Sequence, residues 1–197
     1  MIKHIGIGVL LVISCNYAQA ETSFNGFYAG IQAGYADGKD DGKEYHSGIY
    51  EGYTQKTTPN GGIFGAYFGY NKVFENNLLV GFESDYELRN GDDKSFQEFE
   101  GIDEPQYTAK TEMKDSASVR ARLGYVFNDG KTLGYLTAGY AMANIKRTMS
   151  DALNEGSVPS ESDTKWHEGW TAGLGIEHFM ADKISLKADY RYSTYDR

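Results

Sequence analysis

The stretch Ala117-Ser118-Val119-Arg120-Ala121-Arg122-Leu123-Gly124-Tyr125-Val126-Phe127 decides the fold. Ala117, Val119, Ala121, Leu123, Tyr125 and Phe127 alternate with Ser118, Arg120, Arg122 and Gly124. A period of two puts the apolar set on one face of an extended strand and the arginines on the other. In a soluble antiparallel sheet the apolar face would cover a core. In a membrane barrel the polarity inverts, with the apolar face on lipid and the polar face inward. Alternation alone does not choose between them.

The same pattern recurs on both sides of this stretch. From Phe27 to Ala36, Ile31, Ala33 and Tyr35 alternate with Gln32 and Gly34. From Ile63 to Phe74, Phe64, Ala66, Phe68 and Tyr70 oppose Gly65, Tyr67, Gly69 and Asn71. From Leu78 to Leu88, Val80, Phe82, Ser84 and Tyr86 oppose Gly81, Glu83, Asp85 and Glu87. Thr132 to Lys146 is a further strand whose faces are both weakly apolar and stay unassigned. Trp170 to Phe179 sets Ala172, Leu174 and Ile176 against Thr171, Gly173, Gly175 and Glu177. Ile184 to Tyr195 sets Leu186, Ala188, Tyr190 and Tyr192 against Ser185, Lys187, Asp189 and Arg191. With the opening stretch these make seven strands.

Three features select the membrane reading. The strands run about 10 to 13 residues, near the ~9–11 a tilted membrane strand needs. Tyr35, Tyr70, Phe74, Tyr125, Phe127, Tyr190 and Tyr192 gather toward strand ends, where interfacial girdles sit. The connections also alternate: Asn71 to Asn77, Asn128 to Lys131 and Met180 to Lys183 are tight, whereas Asp37 to Asn60, Arg89 to Thr111 and Arg147 to Glu168 are long and mostly acidic. Short turns at the periplasmic rim and long external loops at the other are the asymmetry of a transmembrane barrel.

The N-terminus supplies the address. Lys3 and His4 precede an apolar run from Ile5 to Ile13, and Ala18-Gln19-Ala20 offers the small residues of a signal-peptidase site. Residues 1–20 are thus expected to be a signal peptide and 21–197 an outer-membrane barrel domain. A second reading takes Val12-Ile13-Ser14-Cys15 as a lipoprotein box, with cleavage before Cys15 and acylation of its thiol. Cys15 is the sole cysteine, so a chain cut after Ala20 has no thiol for disulfides, metal sites or nucleophilic catalysis.

The net charge is −9, and removal of the first twenty residues leaves 18 basic and 28 acidic residues. Such a surface repels phosphates, so nucleic acid is not an expected partner. The inward faces collect charge of both signs: Glu83, Asp85, Arg120, Arg122, Glu177, Lys187, Asp189 and Arg191. Glu83 and Arg122 each stand five residues from a short turn, which predicts a similar depth. Buried charges must pair, so these eight are expected to form a salt-bridged core plugging a small barrel, in preference to an ion path. Glu98 and Glu100 sit in an acidic loop and do not suggest a glycosidase site. The loop from Asp37 to Gly48 lacks the calcium-ligand set, because Lys39 and Gly48 stand at ligand positions. His46 and His167, in expected external loops, are the candidates for haem or metal. No nucleophile–base pattern or nucleotide fingerprint occurs, and neither an enzyme nor a resident cofactor is expected.

Six segments, taken in order, resemble the opacity-like surface antigens, small outer-membrane β-barrel proteins of alphaproteobacteria. They are Phe24 to Tyr35, Gly61 to Asn71, Val80 to Asp85, Val119 to Tyr125, Gly169 to Glu177 and Leu186 to Tyr192. The resemblance implies an all-β, antiparallel, up-and-down barrel of eight strands in the outer membrane of a Gram-negative cell. It further implies a structural, antigenic or adhesive surface role, with outer-membrane lipid around the barrel and a host or envelope ligand at the external loops. Some members bind haemin, which makes haem or ion binding the alternative. No catalytic residues come with it. One departure stands out: the family pattern ends on an eighth strand with a terminal aromatic, and this sequence stops at Asp196-Arg197. Seven strands leave two unpaired edges, so an open, incomplete barrel is expected.

Overall fold

The structure, a computed structural model, describes residues 7–15, 24–37, 40–46, 49–57, 60–99, 102–127, 130–151 and 161–195. Ten strands occur among them: β1 Ile7–Cys15, β2 Gly26–Asp37, β3 Asp40–His46, β4 Ile49–Thr57, β5 Asn60–Val73, β6 Leu78–Phe99, β7 Ile102–Phe127, β8 Thr132–Asp151, β9 Glu161–Ala181 and β10 Ile184–Tyr195. Neighbours pair antiparallel, and eight strands close a ring in the order β1-β2-β5-β6-β7-β8-β9-β10. Seven of the eight are the strands read from alternation.

The ring wears its apolar residues outside. Ile31, Phe68, Val80, Leu123, Leu136, Leu174 and Ile176 are exposed, while Gln32, Glu83, Asp85, Arg120, Arg122, Glu177 and Lys187 are buried. Exposure of this much contiguous apolar surface is unfavourable in water and favourable in lipid. Aromatics mark both rims. Phe27 and Tyr70 stack edge-on at 4.8 Å near the short turns, and Trp170 lies 5.7 Å from Tyr192 at the other rim. From Met180 to Trp170 is ten steps of about 3.3 Å, which at a ~40° tilt gives roughly 25 Å of height, the thickness of an outer-membrane apolar band.

The β8 faces, unassigned from sequence, separate here. Leu133, Tyr135, Thr137, Ala141, Ala143 and Ile145 are buried, and Leu136 and Tyr140 are exposed. The inward face reads as apolar because the lumen is closed by apolar clusters at both ends. Phe24, Leu79, Val126, Leu133 and Phe179 pack together near the short turns, with Phe24 and Phe179 rings 4.5 Å apart. Ala141, Ala143, Ile145 and Tyr195 pack at the opposite end.

One expectation is corrected. The segments expected as long loops are largely strand: β6 to β9 continue past the lipid-facing region, and β3 and β4 form a hairpin between Asp37 and Asn60. Beyond Leu88, β6 runs on for about 35 Å of strand at ~3.3 Å per residue. β4 joins its outer end through Tyr53↔Phe99, Thr54↔Glu98 and Gln55↔Gln97. Outside the membrane both faces of a strand are wet, so no alternation announces it. Register shifts at Leu88/Gly91 and Met113/Asp115 fall at one level of β6 and β7, where extra residues bend a ladder and raise its twist.

Closure of the ring uses a segment beyond the seven alternating strands. β1, the segment read as the apolar core of a signal peptide, lies between β2 and β10 and pairs with both. The physical reason is that each unpaired backbone group in lipid costs several kcal/mol. A nine-residue segment rich in Ile and Val satisfies both edges.

Candidate functional site, the charged lumen

The strand period places the charges in columns. β6 carries Glu83, Asp85 and Glu87 at alternate positions, and β7 answers in register with Glu83↔Arg120, Asp85↔Ser118 and Glu87↔Ser116. β10 contributes Lys187, Asp189 and Arg191, and β9 contributes Glu177. Glu83 sits at the centre. Its carboxylate accepts from Arg120 Nη2 at 2.7 Å, from Lys187 Nζ at 2.8 and 2.7 Å, and from the Tyr28 hydroxyl at 2.9 Å. Asp85 accepts from Arg120 Nη2 at 2.7 Å, Ser118 Oγ at 2.5 Å and Arg191 Nη1 at 3.2 Å. Glu87 pairs with Arg191 and accepts from Gln32 Nε2 at 2.7 Å and from Arg89 Nη2 and Ser116 Oγ at 3.1 Å.

Arg122 departs from the depth expected for it. It stands in register with Gly81, not Glu83, and its Nη2 donates to Glu177 at 2.6 Å, with Glu83 3.8 Å from Nη1. Counting residues up from two separate turns ignores the stagger that barrel closure imposes between neighbouring strands. Its guanidinium lies 3.7 Å from the Tyr135 ring centroid, a cation–π contact in a desolvated setting. Lys187 Nζ similarly lies 4.2 Å from the Tyr67 centroid. Asp189 accepts from the Tyr135 hydroxyl and pairs with Lys187 at 3.3 Å. All eight charged positions taken from the sequence are therefore buried and joined in one network.

The network is balanced. Its described acids are Glu83, Asp85, Glu87, Glu177 and Asp189, and its bases Arg89, Arg120, Arg122, Lys187 and Arg191. It also crosses the lumen at full width. In a ring of eight, β6 and β10 are opposite, so Lys187 to Glu83 and Arg191 to Asp85 and Glu87 are crossbars. A narrow polar pocket remains beside Asp85, Glu87, Arg89, Ser116, Ser118, Arg191 and Ser193, with room for about one water molecule.

The sequence reading set Tyr67 opposite the apolar face but assigned no face to Tyr28 or Tyr135. Tyr28, Tyr67 and Tyr135 are buried in the lumen, each over a glycine: a methyl at Gly69 would meet the Tyr28 ring, one at Gly30 the Tyr67 ring, one at Gly175 the Tyr135 ring. Pairing of large and small inward residues is how a small barrel fills its taper. For Tyr28 the signal was available, because it shares parity with Gln32. Among the described residues no group of three or more His, Cys, Asp or Glu is placed to hold a metal. His167 lies on β9 opposite Ala143, and His46 ends β3, where its side chain lies outside the described residues.

A family model described as outer membrane protein beta-barrel domain matches residues 6–197. The 31 kDa outer-membrane immunogenic protein of Brucella melitensis is 29% identical over 136 residues, covering 69% of this chain and 55% of its own. The 25 kDa outer-membrane immunogenic protein of Brucella abortus is 41% identical over 78 residues, covering 40% of this chain and 32% of its own. The 22 kDa outer membrane protein of Rhizobium leguminosarum is 35% identical over 80 residues, 41% of this chain and 33% of its own. The chain thus spans between a third and about half the length of these relatives. Among solved structures, Ail, the attachment invasion locus protein of Yersinia pestis, aligns with a TM-score of 0.38 at 14% identity, over 87% of this chain and 98% of its own.

Proposed function

This chain belongs to the outer-membrane β-barrel domain family and is an outer-membrane protein, and from that premise we propose that it is a sealed, non-catalytic surface barrel with a structural and antigenic role. The observation that carries this reading is the pair of crossbars, Lys187 to Glu83 and Arg191 to Asp85 and Glu87, which fill the lumen from wall to wall. A lumen filled by paired charges holds the barrel rigid and leaves function to the outside. There the extended sheet of β6 to β9 and the β3–β4 hairpin stand clear of the lipid. The segments 37–60, 89–115 and 147–168 contain 18 of the 28 acids and 9 of the 19 bases, so the chain's whole negative excess lies in this external part. An anionic, protruding sheet suits contact with a cationic envelope or host surface, and the immunogenic relatives support an antigenic role. In this reading residues 1–20 direct export and are removed, and the lumen stays plugged after their loss because the ion pairs that fill it lie on β6, β7, β9 and β10.

Three measurements on cells making the protein test it. Trypsin added to intact cells is expected to cut the external segments and leave a protected barrel fragment. Purified protein in a planar bilayer is expected to give no sustained conductance; steady channels would overturn the sealed lumen. The mature mass is expected to place the N-terminus at Glu21, and a diacylglyceryl group on Cys15 would overturn that cleavage.

A further inference from the structure

The outward face of β5 changes character at its periplasmic end. Phe64 and Phe68 are exposed on that face, and Tyr70 stacks on Phe27 in the aromatic belt near the short turns. Lys72 continues the same face and is exposed. Two residues of strand advance about 6.6 Å, so Lys72 stands just beyond the belt, at the level of lipid headgroups.

Lys72 borders a preformed cleft. It pairs in register with Val80 of β6, and directly paired residues share a face of the sheet. The turn between them is tied down: the Phe74 N–H donates to the Leu78 carbonyl and the Asn77 N–H to the Phe74 carbonyl, both at 2.9 Å, and the Leu78 N–H donates to Asn76 Oδ1 at 3.2 Å. Lys72, Phe74, Glu75, Asn76, Leu78 and Val80 line an open cleft of about 750 Å³ at this rim. Phe74, Leu78 and Val80 are exposed and make its apolar wall. Among the described residues neither Lys72 nor Glu75 has an ion-pair partner. The cleft therefore presents one cation, one anion and an apolar wall.

We propose that this cleft binds a zwitterionic phospholipid of the periplasmic leaflet, of the phosphatidylethanolamine class. Lys72 holds the phosphate, Glu75 holds the primary ammonium, and an acyl chain lies along Phe74, Leu78 and Val80. Charge complementarity carries the choice. A headgroup with both signs meets a partner for each, whereas a purely anionic headgroup meets Glu75 as a like charge. Hydrogen bonds between ionised groups are the stronger kind, and both contacts are of that kind. The apolar wall runs on into the exposed Phe82 and Phe68, so the chain passes from the cleft into the bilayer. The site rests on the barrel reading above, since it requires the outward face of β5 and β6 to stand in lipid.

Lipid competition tests the site. Full-length protein refolded in detergent micelles is mixed with palmitoyl-oleoyl phosphatidylethanolamine and palmitoyl-oleoyl phosphatidylglycerol at equal concentration, and native mass spectrometry reads the lipid retained on each barrel. The parent is expected to retain the ethanolamine lipid several-fold over the glycerol lipid. Glu75→Gln is expected to remove that preference, and Lys72→Gln to lower retention of both lipids several-fold. Lys183→Gln, on the β9–β10 turn at the same rim, is the matched control and is expected to change neither. Equal retention by the parent and Lys72→Gln, or equal losses from Lys72→Gln and Lys183→Gln, overturns the site. A parental preference for the glycerol lipid, or a preference that survives Glu75→Gln, overturns the zwitterionic occupant. Heat-modifiable migration separates the two failures: without it in the parent the barrel reading itself fails, and with it only the lipid site does.

Discussion

β9 passes through two environments, and its halves read differently. Below Trp170, Leu174 and Ile176 are exposed on the outside of the ring while Glu177 is buried against Arg122. Above Gly169, Thr164, Lys165 and Trp166 are consecutive and all exposed. The backbone ladder to β8 is continuous through both halves, from Thr132↔His178 to Met149↔Glu161. Alternation therefore records the contrast between the two sides of a strand and not the strand itself. Where lipid faces one side and a filled lumen the other, the sequence must alternate. Where water faces both, it is free of the rule and the ladder alone keeps the strand.

The contrast can be broken most severely in the lumen. Glu83→Ala strips Arg120, Lys187 and Arg122 of their shared partner and leaves buried charge uncompensated, which should cost about 3–5 kcal/mol. The expected outcome is a large fall in the urea midpoint of the heat-modifiable form. Lys187→Met alone should also destabilise, and the double variant should cost less than the two single changes together, because the pair interacts across the lumen. Additive losses would mean that the crossbar carries no energy.

On the lipid face the expected loss is smaller. Leu174 is exposed near mid-height, and Leu174→Lys should cost about 2–4 kcal/mol, the depth-dependent penalty of a cation in the apolar band. Midpoint urea in lipid bilayers is the readout. A midpoint equal to that of the parent would place this face in water.

Packing inside the lumen offers a third test. A methyl at Gly69 would stand 2.5 Å from the Phe82 carbonyl oxygen and from the Tyr28 ring. The carbonyl is main chain and cannot swing away, so Gly69→Ala should cost about 1–3 kcal/mol as an overpacked site. Gly62→Ala is the matched control, since nothing lies within 4 Å of a methyl there, and it should leave the midpoint nearly unchanged.

The seven alternating strands and the charged columns were legible because two unlike solvents impose period two. What stayed illegible had physical causes. Tyr28 and Tyr135 were given no face, because an aromatic side chain suits lipid and lumen alike; here their hydroxyls serve the ion network. Arg122 was placed two residues from its true register, because stagger around a closed ring leaves no local mark. Leu133 and Ile145 blurred the β8 faces because a plugged lumen needs apolar ends. The external strands carried no period to read. The composition of Ile7–Cys15 suits an export signal and a β-strand alike.

The smallest expected effect sharpens the comparison on a single strand. Trp166 and Leu174 are eight residues apart on β9, so they lie on the same face, and both are about half exposed. Composition, strand and facing are thereby matched, and only height differs. If the boundary of lipid falls near the Trp170–Tyr192 belt, a lysine at 166 meets water or headgroups, where its cost falls to about 0–1 kcal/mol. Trp166→Lys should therefore shift the urea midpoint only slightly, whereas Leu174→Lys shifts it strongly. Equal losses at both positions would mean that the apolar band extends above Trp166, and that the upper half of β9 is a membrane strand like the lower.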